Sequence, residues 1–279
     1  MKVSVFKSQK TRDRFRSYYQ EVLDRFPFEQ HYIETTLGQT FMLASGKITD
    51  PPVIILHGSC SNSAFWFPEI MALSVNYRVY AIDLIGEAGN SSEYRPDLDS
   101  DDFSAWMKEV LDTLGIKKSV IAGNSLGGWM ALKFASSWPE YVSKLLLFAS
   151  AGLAQIRPQF IDDTARILQT SQSAQVDSDV LGENELPKEV LDFMNLILES
   201  YDPIPYLPVF SDEQLQRLDM PVLFVGGEND IIIDTEASAN RLSHLVPSAR
   251  TLLLENCGHV IPNVAGYLTS FLAEGENNG

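Results

Sequence analysis

Beyond Asp50-Pro51-Pro52, short apolar runs recur with helix-length stretches between them: Val53 to Leu56, Arg78 to Ile82, Ser119 to Ala122, Lys144 to Phe148, Pro221 to Val225 and Thr251 to Leu254. A short β-branched run without polar alternation reads as a strand covered on both faces. Strands joined through helix-length segments lie parallel, with right-handed crossovers. The series therefore predicts an α/β architecture, a mostly parallel sheet flanked by helices. At 279 residues with 45% apolar content, the chain can build one large domain of this kind.

The rhythm breaks once. Between Phe148 and Pro221 lie roughly seventy residues without a convincing buried strand, too many for a plain crossover. "TARILQTSQSA" and "KEVLDFMNLILES" carry helical patterning, and "YDPIPYLPVF" is a proline-studded loop. Residues 152–213 are therefore expected to form a helical cap inserted over the sheet. The core is then made of residues 1–151 and 214–279. Ahead of the first buried run, Phe15, Tyr18, Tyr19, Val22 and Leu23 recur at helical spacing, which predicts an amphipathic helix ending near Pro27. "EQHYIETTLGQTFMLASG" reads as a hairpin turning around Leu37-Gly38-Gln39.

One of the buried runs ends in chemistry. Ser119 to Ala122 leads directly into Gly123-Asn124-Ser125-Leu126-Gly127, and helix formers follow until Pro139. A G-x-S-x-G spacing alone arises by chance in roughly one chain in ten of this length, so the flanking elements decide. A strand passing straight into a helix needs a tight turn, and small neighbours at both flanks relieve its crowding. The helix also directs its free N–H groups and positive dipole end at the serine. Ser125 is thereby expected to be a nucleophile on an elbow.

A serine hydroxyl needs a base, and the base needs a carboxylate to orient it. Ligands of open α/β sheets bind where the strands end, so both partners should follow strands directly. Asp230 follows the run ending at Val225, and His259 follows the run ending at Leu254. The chain order Ser, Asp, His is the one this architecture uses. Asp234 and Glu228 stand close enough to rival Asp230. His244 reads as a surface helix residue, and His31 belongs to the hairpin. Asp83 also ends a strand and is expected to hold the "DLIGEAGNSS" loop.

Such a serine acts through an oxyanion, which needs two N–H donors. The backbone N–H of Leu126 is one, directly after the nucleophile. The other is assigned to Ser59 in His57-Gly58-Ser59-Cys60, where Gly58 permits close approach and His57 braces the loop. Phe65, Trp66 and Trp129 flank these motifs and are candidates for an apolar acyl pocket, with core packing as the alternative. Met194, Ile197 and Tyr206 are candidates from the cap.

Composition excludes several other classes. A net charge of −16 leaves no basic stripe for nucleic acid or anionic membrane. No apolar run is long enough for a membrane span, and the opening residues lack a signal-peptide core, so a soluble, cytoplasmic protein is expected. Four histidines without a HExxH or CxxC pattern offer little for a metal site. Cys60 and Cys257 fall in the two loops beside the proposed site and are expected to be free thiols.

Taken together, "LHGS", "GNSLGG", "GEND" and "NCGH" resemble the α/β-hydrolase superfamily over about residues 53–260. With the opening helix and hairpin, the chain is similar to small bacterial carboxylesterases of the naproxen-esterase type. The resemblance implies an eight-stranded sheet, a helical cap, no cofactor and a small-molecule ester substrate cleaved through an acyl-enzyme. C–C bond hydrolysis, thioester cleavage, acyl transfer and perhydrolysis use the same parts, and a non-catalytic ligand-binding role is the remaining alternative. Against the usual D-x-x-G-x-G-x-S, the Asp83 loop carries one extra residue.

Overall fold

In the computed structural model, which describes residues 4–160, 180 and 186–274, every buried run is a strand. The eight strands are β1 (Glu29–Thr35), β2 (Gly38–Ser45), β3 (Pro52–Leu56), β4 (Arg78–Ile82), β5 (Ser119–Asn124), β6 (Val142–Phe148), β7 (Val222–Gly227) and β8 (Ala249–Leu254). They form one sheet in the order β1-β2-β4-β3-β5-β6-β7-β8. Only the β1–β2 and β2–β4 pairings are antiparallel. The order places the Ser125 strand, β5, at the centre. The strands that precede Asp230 and His259, β7 and β8, lie side by side in parallel register, Gly227 opposite Leu254.

The period-2 pleat divides the core in two. Ile54, Leu56, Ile121, Leu145 and Leu147 face one layer, where Trp106, Met107 and Val110 of α3 (Asp102–Thr113) and Leu132 and Phe134 of α4 (Leu126–Ser137) cover them. Val53, Ile55, Val120, Ala122, Leu146 and Phe148 face the other. There they meet α1 (Gln9–Leu23), α2 (Phe67–Leu73) and a C-terminal helix, Val264–Ala273. Double coverage explains why the inner strands carry apolar residues at consecutive positions, as in Val53–Leu56 and Leu145–Phe148.

The opening helix starts where Ser8 Oγ accepts the Thr11 N–H, while Thr11 Oγ1 accepts the Ser8 N–H in return. It buries Phe15, Tyr19 and Leu23, each contributing roughly 1.5–3 kcal/mol through the apolar area removed from water. The hairpin turn is one residue earlier than the sequence suggests. Thr36 and Leu37 form it, and Gly38, at φ +105°, already pairs with Thr35 as the first residue of β2. A side chain there would be strained, so glycine sits at the end of the turn and not in its middle.

Of the expected insertion, the described part holds helix α5 (Lys188–Ser200) and an irregular Tyr201–Phe210 stretch. The helix expected over "TARILQTSQSA" lies outside the described residues. Helix α5 packs on the opening helix: Phe193 stacks on Phe15 with ring centres 6.1 Å apart and also touches Tyr18 and Tyr19. Tyr201 pairs with Phe6 in an antiparallel bridge, flanked by Lys7 N–H to Ser200 O and Asp202 N–H to Val5 O. Among the described residues, no helix is long and apolar enough to cross a membrane.

Candidate active site

Ser125 occupies a strained turn. Its φ of 51° and ψ of −112° lie outside the regions that L-residues favour. The surroundings hold it there: its N–H donates to Phe148 O at 2.9 Å, and its carbonyl accepts from Trp129 N and Ala151 N at 3.0 and 3.2 Å. Both flanking glycines are sterically required. A Cβ on Gly123 would stand 2.2 Å from Gly127 O, and one on Gly127 would stand 2.1 Å from Leu56 O. Helix α4 begins at Leu126, so the first-turn N–H groups have no partner within the helix and lie beside the serine.

The loop after β3 runs alongside this turn. A Cβ on Gly58 would stand 3.2 Å from Asn124 Nδ2 and 3.3 Å from Ser125 Cβ, a tight fit that shows how closely the two loops pass. His57 braces the loop as expected. Its Nδ1–H donates to Gly58 O at 2.7 Å, and its Nε2 accepts the Leu84 N–H at 2.9 Å. Burial pushes its pKa down, against the pull of Asp83 and the Gly58 carbonyl, so the ring is neutral with both nitrogens used. It has none left to serve as base. Asp83 is likewise structural. Its carboxylate accepts from Ser63 N, Asn90 N and Tyr19 OH at 2.8, 2.8 and 3.0 Å.

Asp230 and His259 meet. Asp230 Oδ2 lies 2.7 Å from His259 Nδ1, and Oδ1 accepts the N–H groups of Ile232 and Ile233 at 2.8 and 2.9 Å. Burial raises the Asp230 pKa, but the His259 ring and the two backbone donors outweigh it, and the net shift is downward. The carboxylate therefore stays ionised beside the imidazole. Neither sequence rival does this. Asp234 caps the helix Thr235–Leu245 by accepting the Ala237 N–H, and Glu228 is exposed. His31 pairs with Glu29 on β1, and His244 is exposed near the end of its helix. The acid and base loops are joined by Asn229 N–H to Cys257 O and Glu228 N–H to Leu254 O, at 2.9 and 3.0 Å.

The aromatic candidates divide. Trp129 is 1% exposed, wedged between Phe103 and Phe210, with its indole N–H on Pro208 O at 2.8 Å. It is a packing residue that seals the elbow helix to the Tyr201–Phe210 stretch. Trp66 and Ile197 are also buried in the core, on the opening-helix side of the sheet. Phe65 is half-buried and stacks on Phe193 at 5.1 Å. Met194 is half-buried and Tyr206 faces solvent.

These features coincide with a known pattern. Residues 51–195 match the model of the alpha/beta hydrolase fold family. The chain belongs to that family. This hydrolase is 31% identical over 264 residues to the uncharacterized carboxylesterase nap of Bacillus subtilis, covering 89% of this chain and 87% of that one. It is 29% identical to carboxylesterase YbfK of the same organism over 262 residues, covering 89% and 88%. The crystal structure of B. subtilis naproxen esterase superposes with a TM-score of 0.79 at 28% identity, over 95% of this chain and 98% of that one.

Sequence reasoning missed one cluster of this hydrolase. Tyr201, buried at the end of α5, brings its hydroxyl 3.0 Å from both Ser59 Oγ and Cys60 N and 2.7 Å from Glu87 Oε2. Arg95 Nη2 lies 3.3 Å from Glu87 Oε1 and donates to Gly86 O and Asp202 O at 2.7 and 2.9 Å. Burial pushes the Glu87 carboxyl up to about 7, although Arg95 and Tyr201 pull it down. Glu87 belongs to the Asp83 loop, whose length departs by one residue from the usual pattern. That extra length was the available signal.

Proposed function

We propose that this protein is a serine carboxylesterase acting on small-molecule carboxylic esters, with Ser125, His259 and Asp230 as its triad. The observation that carries the reading is the 2.7 Å bond between Asp230 and His259 at the ends of two adjacent strands. It fixes the ring with Nδ1 protonated, which leaves Nε2 as the basic nitrogen. In the first half-reaction Nε2 takes the Ser125 proton as Oγ attacks the ester carbonyl. The N–H groups of Leu126 and Ser59 receive the oxyanion, and the imidazolium returns the proton to the departing alkoxide. Water then repeats the sequence on the acyl-enzyme, releasing the acid.

We read the 152–213 segment as a cap, a reading supported by the contact of Tyr201, at the end of helix α5, with the Ser59–Cys60 turn. The carboxylesterase names of the relatives favour ester hydrolysis over the other reactions that this triad supports. A fluorophosphonate probe should label one serine, located in the Ser119–Ser137 region by peptide mass spectrometry. p-Nitrophenyl esters of graded chain length should be turned over with a preference that reports the acyl pocket. A protein that takes no label and cleaves none of these esters refutes the reading.

A further inference from the structure

The esterase reading assigns the second oxyanion donor to Ser59, and His57 braces the start of its loop but not the Ser59–Cys60 turn. The next residue, Cys60, sits at φ +57°, a left-handed conformation that costs a non-glycine residue free energy. Something must hold it. The Cys60 N–H donates to Tyr201 OH at 3.0 Å, and Ser59 Oγ lies 3.0 Å from the same oxygen. A phenol has one proton and two lone pairs. With its proton on Glu87 Oε2, both lone pairs are free for the Cys60 N–H and the Ser59 hydroxyl. Each polar group of this cluster then has a partner, as buried polar groups require.

Tyr201 is itself well anchored. It ends helix α5, bridges to Phe6 and is fully buried. Glu87 cannot turn away, because its side chain is wholly buried and Arg95 lies against its other oxygen. Arg95 in turn ties the Gly86 carbonyl to the Asp202 carbonyl. The hydroxyl thus connects three segments: the end of the α5 helix, the Asp83 loop and the loop beside Ser125.

We propose that Tyr201 is a positioning residue for the oxyanion loop, its hydroxyl holding the Ser59–Cys60 turn in place and Glu87 fixing the direction of its proton. This rests on the serine-esterase reading given above. Tyr201 does not touch the reacting atoms. It acts by keeping the Ser59 amide where the oxyanion forms. A misplaced donor loses transition-state stabilisation while ground-state binding is spared.

Tyr201→Phe removes one oxygen and keeps the ring. With p-nitrophenyl acetate, kcat should fall about tenfold to a hundredfold, less than or equal to the loss of a whole oxyanion donor. KM should stay within about twofold. The inhibition constant of a trifluoromethyl ketone, which forms a tetrahedral oxyanion on the serine, should rise in parallel with the loss in kcat/KM. A role in packing alone would lower the melting temperature without this split. A kcat within about twofold of the parent overturns the proposal, as does a loss of kcat with unchanged ketone inhibition.

Should Tyr201→Phe fail to fold, Glu87 decides. Glu87→Gln keeps an acceptor for the Tyr201 proton and should hold kcat within about threefold, whereas Glu87→Met removes it and should reproduce the tenfold or greater loss. Equal kcat in these two variants overturns the proposal. Ser125→Ala is run in the same assay. If it retains activity, the esterase reading has failed. If it is inactive while Tyr201→Phe is normal, only the positioning role has failed.

Discussion

Gly227, the last residue of β7, lies so close to the carbonyl of Gly258 that a Cβ on it would stand 2.2 Å from that oxygen, and equally from the oxygen of Cys257. The strand that leads to Asp230 therefore presses directly on the backbone that carries His259. Both contacts are with main-chain atoms, which cannot swing aside as a flexible side chain would. The same two loops carry the 2.7 Å Asp230–His259 bond.

Gly227→Ala should therefore act on the base loop. The Cys257–Gly258 peptide must retreat, carrying His259 away from Asp230. Activity on p-nitrophenyl acetate should drop by about tenfold or more, since small displacements of catalytic groups are costly. Overpacking should also destabilise the protein by about 1–3 kcal/mol, visible in thermal melts. Parental activity in this variant would show that the loop gives way without moving the histidine.

The elbow stores strain at Ser125, and two substitutions separate chemistry from stability. On the serine-esterase reading, Ser125→Ala and Ser125→Gly should both abolish ester hydrolysis, because neither has a nucleophile. Alanine keeps the penalty of a positive φ, whereas glycine at 51° and −112° does not. The glycine variant should therefore melt higher than the alanine variant, by an amount equivalent to about 1 kcal/mol. The opposite order in calorimetry would mean that the turn is not strained.

Much of this was legible from the chain because strands buried on both faces leave runs such as Val53 to Leu56 without polar interruption. The candidate site was legible because its parts follow strand ends directly: Asp230 after β7, His259 after β8. The Tyr201–Glu87–Arg95 cluster was not. Tyr201 lies 114 positions from Glu87, and the one extra residue of the Asp83 loop does not say what that loop will meet. Trp129 shows the converse limit. Its place next to Gly128 in the elbow helix left pocket wall and core packing both open, because periodicity cannot say what a helix face meets. Here it meets Phe103 and Phe210.

Asp230 and Asp234 are four positions apart and do different work, so their asparagine variants should differ sharply. On the serine-esterase reading, Asp230→Asn loses the charge that fixes the His259 tautomer and stabilises the imidazolium, and kcat should fall by about a thousandfold or more. Asp234→Asn should change kcat little. It should also leave stability within about 0.5 kcal/mol, because asparagine caps a helix about as well as aspartate. Steady-state kinetics on the pair ranks them, and the reverse ranking would reassign the acid.

Neither Cys60 nor Cys257 is part of a disulfide. Burial, followed by the nearby Glu87 charge, pushes Cys60 up to about 11, an effect that the Tyr201 and Ser59 hydroxyls beside the sulfur offset only in part. The Cys60 sulfur faces two hydroxyls, those of Tyr201 and Ser59, at 3.8 and 3.9 Å. Only the thiolate alkylates, and at pH 8 about one molecule in a thousand carries it. Native protein treated with iodoacetamide at that pH should keep Cys60 unmodified over an hour, while denatured protein should react at both cysteines. Rapid native alkylation at Cys60 would place that thiol in a more open, more polar setting.

Glu87 gives stability a pH dependence whose sign is fixed by its shift. Its carboxyl, ordinarily near 4.5, is raised to about 7 in the folded chain, chiefly by burial. Below the ordinary value both folded and unfolded chains hold the proton, and the side chain imposes no penalty. Between the two values the unfolded chain has released its proton and the folded chain has not, so unfolding gains ground as pH rises. Above about 7 the carboxylate is ionised in both states, and the loss has reached its full extent of up to about 3 kcal/mol. Glu87→Gln cannot titrate and escapes this loss. The melting temperature of the parent, relative to that of Glu87→Gln, should therefore decline by several degrees between pH 5 and pH 8. Differential scanning fluorimetry of the two proteins across that range measures it directly. A constant difference would mean that Arg95 and Tyr201 keep Glu87 ionised throughout, in spite of its burial.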